Sequence, residues 1–237
     1  MKIALVGNGK MGKEVVKFAQ QKGHELINVF DIDNKNEFTV ENIQKADVIF
    51  EFTNPESAFE NISKCLDADV PCVSGTSGWL DKMEEIKLRC QNENKTFFYA
   101  SNFSLGVNVL FKINNVLAKI MKNYPAYDVS VNETHHIHKL DAPSGTAIKI
   151  ANQIISEIDN KNNWKLDKGN KNDLIIKAER EGEVPGIHEI EYKSDIDTIS
   201  IKHSAKNRLG LAQGAVLAAE FVKDKSGFFT MENLLNF

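Results

Sequence analysis

The chain has 237 residues, 42% hydrophobic and 26% charged, the composition of an ordinary soluble globular protein of one large or two small domains. Its formal net charge of −4 at pH 7 argues against a nucleic-acid partner, whose phosphates call for a basic face, but leaves room for a small anion held by a local cluster. No apolar run approaches the length of a membrane span, and no charged leader with an apolar core stands ahead of the first strand, so neither membrane nor secretion is expected.

Lys2 to Val6 is a short apolar run of the kind that forms a buried parallel strand. Gly7, Asn8, Gly9, Lys10, Met11 and Gly12 follow at once, and a helical pattern then runs through Val15, Val16, Phe18 and Ala19 to Gly23. Strand, Gly-x-Gly-x-x-Gly and helix, in that order, form a dinucleotide site, because the tight turn, the approach of a pyrophosphate and the close helix packing each need a missing Cβ. Glu25 to Phe30 reads as a second strand ending at Asp31, about 20 residues past the last glycine, where a carboxylate can accept hydrogen bonds from ribose hydroxyls. A helix cap is the plainer reading of Asp31. Its charge would repel a 2′-phosphate, with Lys10 or Lys35 able to offset that repulsion, so NADH is favoured over NADPH as cofactor.

From Asp31 to Ala46 the chain is short for a full crossover helix. Strands at Ala46 to Phe52, Val70 to Ser74 and Lys95 to Ala100 then alternate with helices from Pro55 to about Leu66 and from about Leu80 to Gln91. In an open parallel sheet, ligands lie across the carboxyl ends of the strands. Those ends are Phe52, Thr53 and Asn54, then Gly75, Thr76 and Ser77, then Ala100, Ser101, Asn102 and Phe103. Cys65, Cys72 and Cys90 are odd in number and irregularly spaced, which fits reduced thiols in a cytoplasmic protein.

Val107 to Met121 carries a helix-period apolar stripe, and Tyr127 to Asn132 alternates as a strand. The strand delivers Glu133 to Thr146, read as Glu-Thr-His-His-Ile-His-Lys-Leu-Asp-Ala-Pro-Ser-Gly-Thr, the densest chemistry in the chain. His and Lys give or take protons near neutral pH once neighbours adjust them, and the free N–H groups of a helix starting near Ser144 make an anion site. Continued as a strand, the segment would put His136 and His138 on one face and His135 and Ile137 on the other, a poor ligand set, so no metal is expected. The helix after Ser144 runs through Ile148, Ala151, Ile154 and Ile155, and Asn160 to Lys171 reads as a solvated loop. Leu174 to Ala178, Ile187 to Tyr192 and Ile196 to His203 read as consecutive antiparallel strands, the mark of a second domain. A helix through Leu217 and Phe221 follows, and Ser226 to Phe229 leads into a short terminal helix.

Glu133 to Thr146 resembles, nearly residue for residue, the signature of the 4-hydroxy-tetrahydrodipicolinate reductase (dihydrodipicolinate reductase) family, and Glu-Phe-Thr-x-Pro-Glu, Gly-Thr-Ser-Gly-Trp and Ala-Ser-Asn-Phe-Ser-Leu-Gly-Val-Asn are similar to that family's cofactor-contacting loops. The likeness runs from Met1 to about Leu235. It implies an NAD(P)H-dependent oxidoreductase of the diaminopimelate route to lysine, acting on a small cyclic dicarboxylate, and a homotetramer. It implies His135 as proton donor, Lys139 as second acid, and His136, Ser144, Gly145 and Thr146 as holders of substrate carboxylates. Glu133 and Asp141 take supporting roles and His138 a packed or orienting one. The expected fold is α/β: a Rossmann-type doubly wound parallel sheet from residues 1–106 and 208–237, with residues 107–207 forming an α+β substrate-binding and oligomerisation domain built on a mixed or antiparallel sheet. The rivals are another NAD-dependent dehydrogenase of the same build, against which the Ser-Gly-Thr anion site speaks, and a non-catalytic nicotinamide-sensing regulator, which has no use for Lys139.

Overall fold

A strand buried on both faces needs apolar side chains at successive positions, and β1 (Lys2–Val6) buries Ile3, Ala4, Leu5 and Val6 together. The computed structural model describes residues 1–237, which separate into two units, Met1–Leu105 with Leu209–Phe237, and Gly106–Arg208. No helix is long and apolar enough to cross a membrane.

In the first unit β1 leads into α1 (Lys10–Gln21) and β2 (Glu25–Phe30). A six-residue 3-10 helix (Ile32–Glu37) and the single turn α2 (Val40–Ile43) replace a crossover helix, and Phe38 closes on Phe30 with ring centroids 4.9 Å apart. Then come β3 (Val48–Glu51), α3 (Pro55–Asp67), β4 (Cys72–Ser74), α4 (Met83–Asn92) and β5 (Thr96–Tyr99). Asn54 caps α3 by accepting the Ser57 N–H at 3.1 Å, and Pro55 sits in its first turn, where a missing N–H costs nothing.

The second unit runs α5 (Leu105–Met121), β6 (Asp128–His135), α6 (Gly145–Ile155), β7 (Asn163–Leu166), β8 (Asp173–Arg180), β9 (Ile187–Lys193) and β10 (Thr198–Ser204). The chain then returns to the first unit as α7 (Leu209–Val222), β11 (Gly227–Phe229) and α8 (Met231–Leu235). The first sheet has the order β11-β5-β4-β3-β1-β2 with every pair parallel. Alternate strand residues feed two cores. Ile3, Leu5, Phe50 and Phe98 pack with α1 and α7, whereas Ala4, Val6, Ile49 and Phe97 pack with α3 and α4. Strand order reverses at β1, so the loops after β1 and β3 diverge there and leave a crevice.

The second sheet has the order β10-β9-β6-β8-β7. The expectation of consecutive antiparallel strands holds for β9 with β10 but fails for β8, which lies parallel to β6 and β7. Insertion of β6 between β8 and β9 is a long-range pairing that local periodicity does not record. The polar stretch from Asn160, read as a loop, contains β7, an edge strand whose polarity suits its place at the rim. Lys161 beside it is 5% exposed, its ammonium donating to the carbonyls of Lys171 and Asp173 and pairing with Asp128 at 2.7 Å. Ser226 to Phe229, read only as a lead into the last helix, forms the sixth parallel strand of the first sheet, too short to show a period.

Candidate functional site

At the switch point of the first sheet a cavity of about 350 Å³ is lined by Gly7, Asn8, Gly9, Asp31, Lys35, Phe52 and Thr53, among others. A second cavity of about 310 Å³ shares Phe52 and Thr53 and adds Met11, Gly75 to Ser77 and Ala100 to Phe103. Of the residues expected to hold the cofactor, Lys10 and Gly12 line neither. Lys10 opens α1, and Gly12 is spent on packing, because a Cβ there would collide with the carbonyl oxygen of Gly7 and press on Leu5. Gly7, at φ +92°, needs its missing Cβ for the carbonyl of Phe52. Gly9 differs from both: a Cβ there meets nothing within 4 Å, and its φ of −75° suits any residue. The space before Gly9, at the start of a twelve-residue helix, fits the phosphates of a dinucleotide.

The loops are held from beneath by Glu51, which the sequence reading passed over. Its side chain is fully buried and accepts from Ser74 Oγ (2.6 Å), Thr76 Oγ1 (3.1 Å), the Thr53 N–H (3.2 Å) and Thr53 Oγ1. Thr53 and Thr76 are thereby fixed against one another at the cavity walls, Thr76 Oγ1 accepting the Thr53 N–H at 2.9 Å. The signal was an acidic residue as the last position of an apolar strand, where burial is costly without partners. Asp31 lines the cavity and also caps the following 3-10 helix, Oδ1 accepting the Ile32 N–H at 2.9 Å. The cap reading is thereby met, and the carboxylate also faces the cavity.

In the second unit three strands change character along one face. Val129 and Val131 of β6, Ile176 of β8 and Ile190 and Tyr192 of β9 pack with α5 and α6 in an apolar core. Two to four residues further along, the same face carries Glu133, His135, Arg180 and His188, with Glu133 opposite His188 and His135 opposite Arg180. Strand β6 ends at His135, so the expected face-sharing of His136 with His138 on a continued strand does not occur, and residues 136–139 turn back instead, Lys139 N–H donating to the His136 carbonyl at 3.1 Å. Rings 136 and 138 still lie 6.1 Å apart. Of the packed or orienting role expected for His138, the packed one fails: the ring is exposed, 3.2 Å from Glu183.

Glu133 is the centre of this cluster. One oxygen accepts the Ser144 N–H at 3.0 Å and faces the Arg180 guanidinium at 3.4 Å. The other, Oε2, lies 3.5 Å from His135 Nδ1 and 3.6 Å from His188 Nε2. Burial alone would raise the pKa of Glu133, but the His188 ring, Ser144 and the His135 ring outweigh it and hold the group at about 2. His135 is pushed down to about 4, first by burial, against the pull of Glu133 and with help from His188, Lys139 and Arg180. Both shifts act in one direction. An imidazole ordinarily at 6.5 that titrates near 4 when folded stabilises the fold above 6.5 and loses that contribution as pH falls through 4, and Glu133 then loses its own between 4.5 and 2. Chemical denaturation followed from pH 7 to 4 should therefore show stability falling from about pH 6.5 downward, less steeply in a His135→Gln variant. An unchanged slope would mean that His135 is not buried uncharged.

Ser144 caps α6, its Oγ accepting the Ala147 N–H at 3.2 Å while lying 3.2 Å from His188 Nε2. A Cβ on Gly145 would meet nothing within 4 Å, so the start of this eleven-residue helix, with Thr146 next in line, is open to an anion. The ammonium of Lys139 is 2.7 Å from Asp141, whose pKa it lowers, and Arg180 fastens this loop by donating to the carbonyls of Asp141 (2.6 Å) and Lys139 (3.3 Å). His136 Nε2 meets the Arg208 guanidinium at 3.1 Å. The ligand-type atoms of Glu133, His135 and His188 lie within 4.8 Å of one another, and the positive charges of Arg180 and Lys139 close by oppose a divalent cation there. His188, Arg180 and Arg208 were not singled out by the sequence, since each becomes a neighbour of the cluster only through strand pairing or chain return.

The family profile described as dihydrodipicolinate reductase, N-terminus, matches residues 1–103, and that described as dihydrodipicolinate reductase, C-terminus, matches residues 106–235. The chain is 44% identical over 236 residues to 4-hydroxy-tetrahydrodipicolinate reductase of Christiangramia forsetii, covering 100% of this chain and 98% of that protein. It is 33% identical over 249 residues to the enzyme of the same name from Staphylococcus carnosus, covering 100% of both. Among solved structures, the dipicolinate-bound dihydrodipicolinate reductase from Paenisporosarcina sp. TG-14 has the same fold, with a TM-score of 0.81, 23% identity and 98% of each chain covered. Amine dehydrogenase from Mycobacterium smegmatis shares the general architecture at a TM-score of 0.59 and 8% identity, over 96% of this chain and 93% of that one. Matched from end to end by both halves of the profile and by full-length relatives, this chain belongs to the dihydrodipicolinate reductase family.

Proposed function

We propose that this chain reduces 4-hydroxy-tetrahydrodipicolinate to tetrahydrodipicolinate with loss of water, in the diaminopimelate route of lysine biosynthesis. The observation that carries the reading is a buried imidazole and an open helix start built into one cluster, His135 and Gly145 joined through Glu133 and Ser144. The reduced nicotinamide, when bound, supplies a hydride to C4 of the substrate. The residues of this chain then do the rest: His135 delivers a proton to C3, Lys139 polarises the imine, and His136 with the Ser144, Gly145 and Thr146 donors holds the carboxylates. Residues 107–207 form the substrate-binding and oligomerisation domain in this reading, and residues 1–106 with 208–237 the dinucleotide-binding one. The protein works in the cytoplasm, in keeping with three free buried thiols, and assembles as a homotetramer, which sedimentation velocity would test.

The test is to supply freshly made 4-hydroxy-tetrahydrodipicolinate and follow NADH consumption, with pyridine-2,6-dicarboxylate, a planar mimic of both carboxylates, as competitive inhibitor. Absence of turnover with saturating NADH or NADPH would leave a nicotinamide-sensing regulator as the better account.

NADH is the favoured cofactor because Asp31 meets the ribose site with a carboxylate. Lys35 lines the same cavity and tempers the exclusion of NADPH, whereas Lys10 does not. Asp31→Arg should move the ratio of kcat/KM values toward NADPH by about tenfold, the effect of one charge contact. An unchanged ratio would remove Asp31 from the ribose site.

A further inference from the structure

We propose that His188 is a positioning residue for His135, competing with it for the one free oxygen of Glu133 and so metering how much of that carboxylate's charge the His135 ring receives. The inference rests on the reading of His135 as the proton donor. Its geometry stands on one buried carboxylate oxygen with an imidazole nitrogen on either side of it. Glu133, His135 and His188 are 1%, 7% and 4% exposed, and of the facing atoms Glu133 Oε2 and His135 Nδ1 have no hydrogen-bond partner, while His188 Nε2 is shared with Ser144 Oγ. A buried polar atom without a partner costs free energy, so Glu133 Oε2 and His135 Nδ1 both gain from any contact that satisfies them. The two rings stand edge to face, 5.1 Å between centroids, with Glu133 Oε2 almost equidistant from a nitrogen of each.

Competition is a consequence of the chemistry of the parts. Glu133 is held ionised, so each ring lowers its energy by turning an N–H toward Oε2. When His135 does so from Nδ1, its Nε2 is left bare, and the proton it must deliver arrives there only when the ring becomes imidazolium. Glu133 favours that state. Burial, Lys139, Arg180 and His188 oppose it, and the bound dicarboxylate adds the negative charge that tips the balance. His188 has a second tether, Ser144 Oγ at 3.2 Å, and so reports on the helix start where a carboxylate would sit.

The groups around this pair come from every element packed on it. Glu133 and His135 are on β6, Arg180 on β8, His188 on β9, and Lys139 with Asp141 on the loop after β6. His203 on β10 lies directly opposite His188, and its own pKa is lowered by burial and by His188. Gly186 closes the other side: a Cβ there would come within 3.1 Å of His135 Nε2, so no further titrating side chain intrudes.

The experiment is an NMR titration of the His135 ring in the free protein, beside the pH profile of kcat/KM. His188→Leu, which leaves Glu133 Oε2 to His135 alone, should raise the His135 midpoint by at least about half a pH unit and carry the alkaline limb of activity upward with it. Glu133→Gln should move both the opposite way, and His188→Gln, whose amide can still donate to Oε2, should stay nearer the native midpoint. A merely structural role would lower activity without shifting these midpoints in opposite directions. The proposal is overturned if His188→Leu leaves the midpoint in place or lowers it. Should that variant not fold, His188→Gln with Glu133→Gln decides the matter, and failure of Glu133→Gln to lower the midpoint is equally fatal. If His135→Gln retains full turnover, the assignment of the proton donor fails, while the NMR result still judges the pairing on its own.

Discussion

His135→Gln is expected to cut turnover at least about a hundredfold, the range for a lost general acid, while NADH affinity stays within about twofold. Gln keeps a hydrogen-bonding group of similar reach but has no proton to give at neutral pH. The separation of effects is expected because every loop assigned to the cofactor lies in the unit Met1–Leu105 with Leu209–Phe237, whereas His135 belongs to Gly106–Arg208. In the free protein the ring is held uncharged at neutral pH, its pKa pushed down to about 4. A donor of this kind is armed by its substrate: two carboxylates arriving beside it raise its proton affinity, so the proton is present when a carbanion needs it and absent otherwise. Fluorescence titration of NADH and steady-state turnover on the same preparation give the comparison. Equal loss in both would show that His135 acts through the fold rather than on the substrate.

Gly9→Ala is expected to lower cofactor affinity about tenfold or more with little change in thermal stability, and Gly7→Ala to do the reverse of the second half. The methyl group added at Gly9 meets no protein atom within 4 Å, and the backbone there is already in a conformation open to alanine, so the fold loses no more than about 1 kcal/mol at the helix cap. In the proposed cofactor site, what the methyl would displace is the pyrophosphate, which approaches the N–H groups at the start of a helix such as α1. At Gly7 the φ of +92° and the carbonyl of Phe52 oppose any side chain, and overpacking together with strain costs about 1–3 kcal/mol or more. Calorimetric melting beside NADH titration separates the two variants. A Gly9→Ala protein that melts early but binds NADH normally would move the phosphate site elsewhere.

The proposed division of labour also explains why Glu51 and Glu133 are both buried carboxyl groups at strand ends. Each gathers polar groups that its sheet brings together, Thr53, Ser74 and Thr76 in one case and Ser144, Arg180 and two imidazoles in the other. A buried acid with this many polar neighbours holds the segments that carry them in register.

Local order was legible from residues alone. β1 and β2 occupy the segments their apolar runs mark, Pro55 opens α3, and Ser144 caps α6, because strand period, proline, glycine and capping side chains act within a few residues of where they stand. The Glu133 to Thr146 motif likewise announced acid, base and anion site together. Tertiary structure alone decided what surrounds them. That β6 lies between β8 and β9 is what puts Arg180 and His188 beside Glu133 and His135, and that β7 and β11 exist at all depends on the neighbours they pair with. Short-range preferences end where a strand's partner is chosen, since that choice is made by burial of whole faces, and it is there that His188, an unremarkable histidine in an alternating strand, becomes a neighbour of His135.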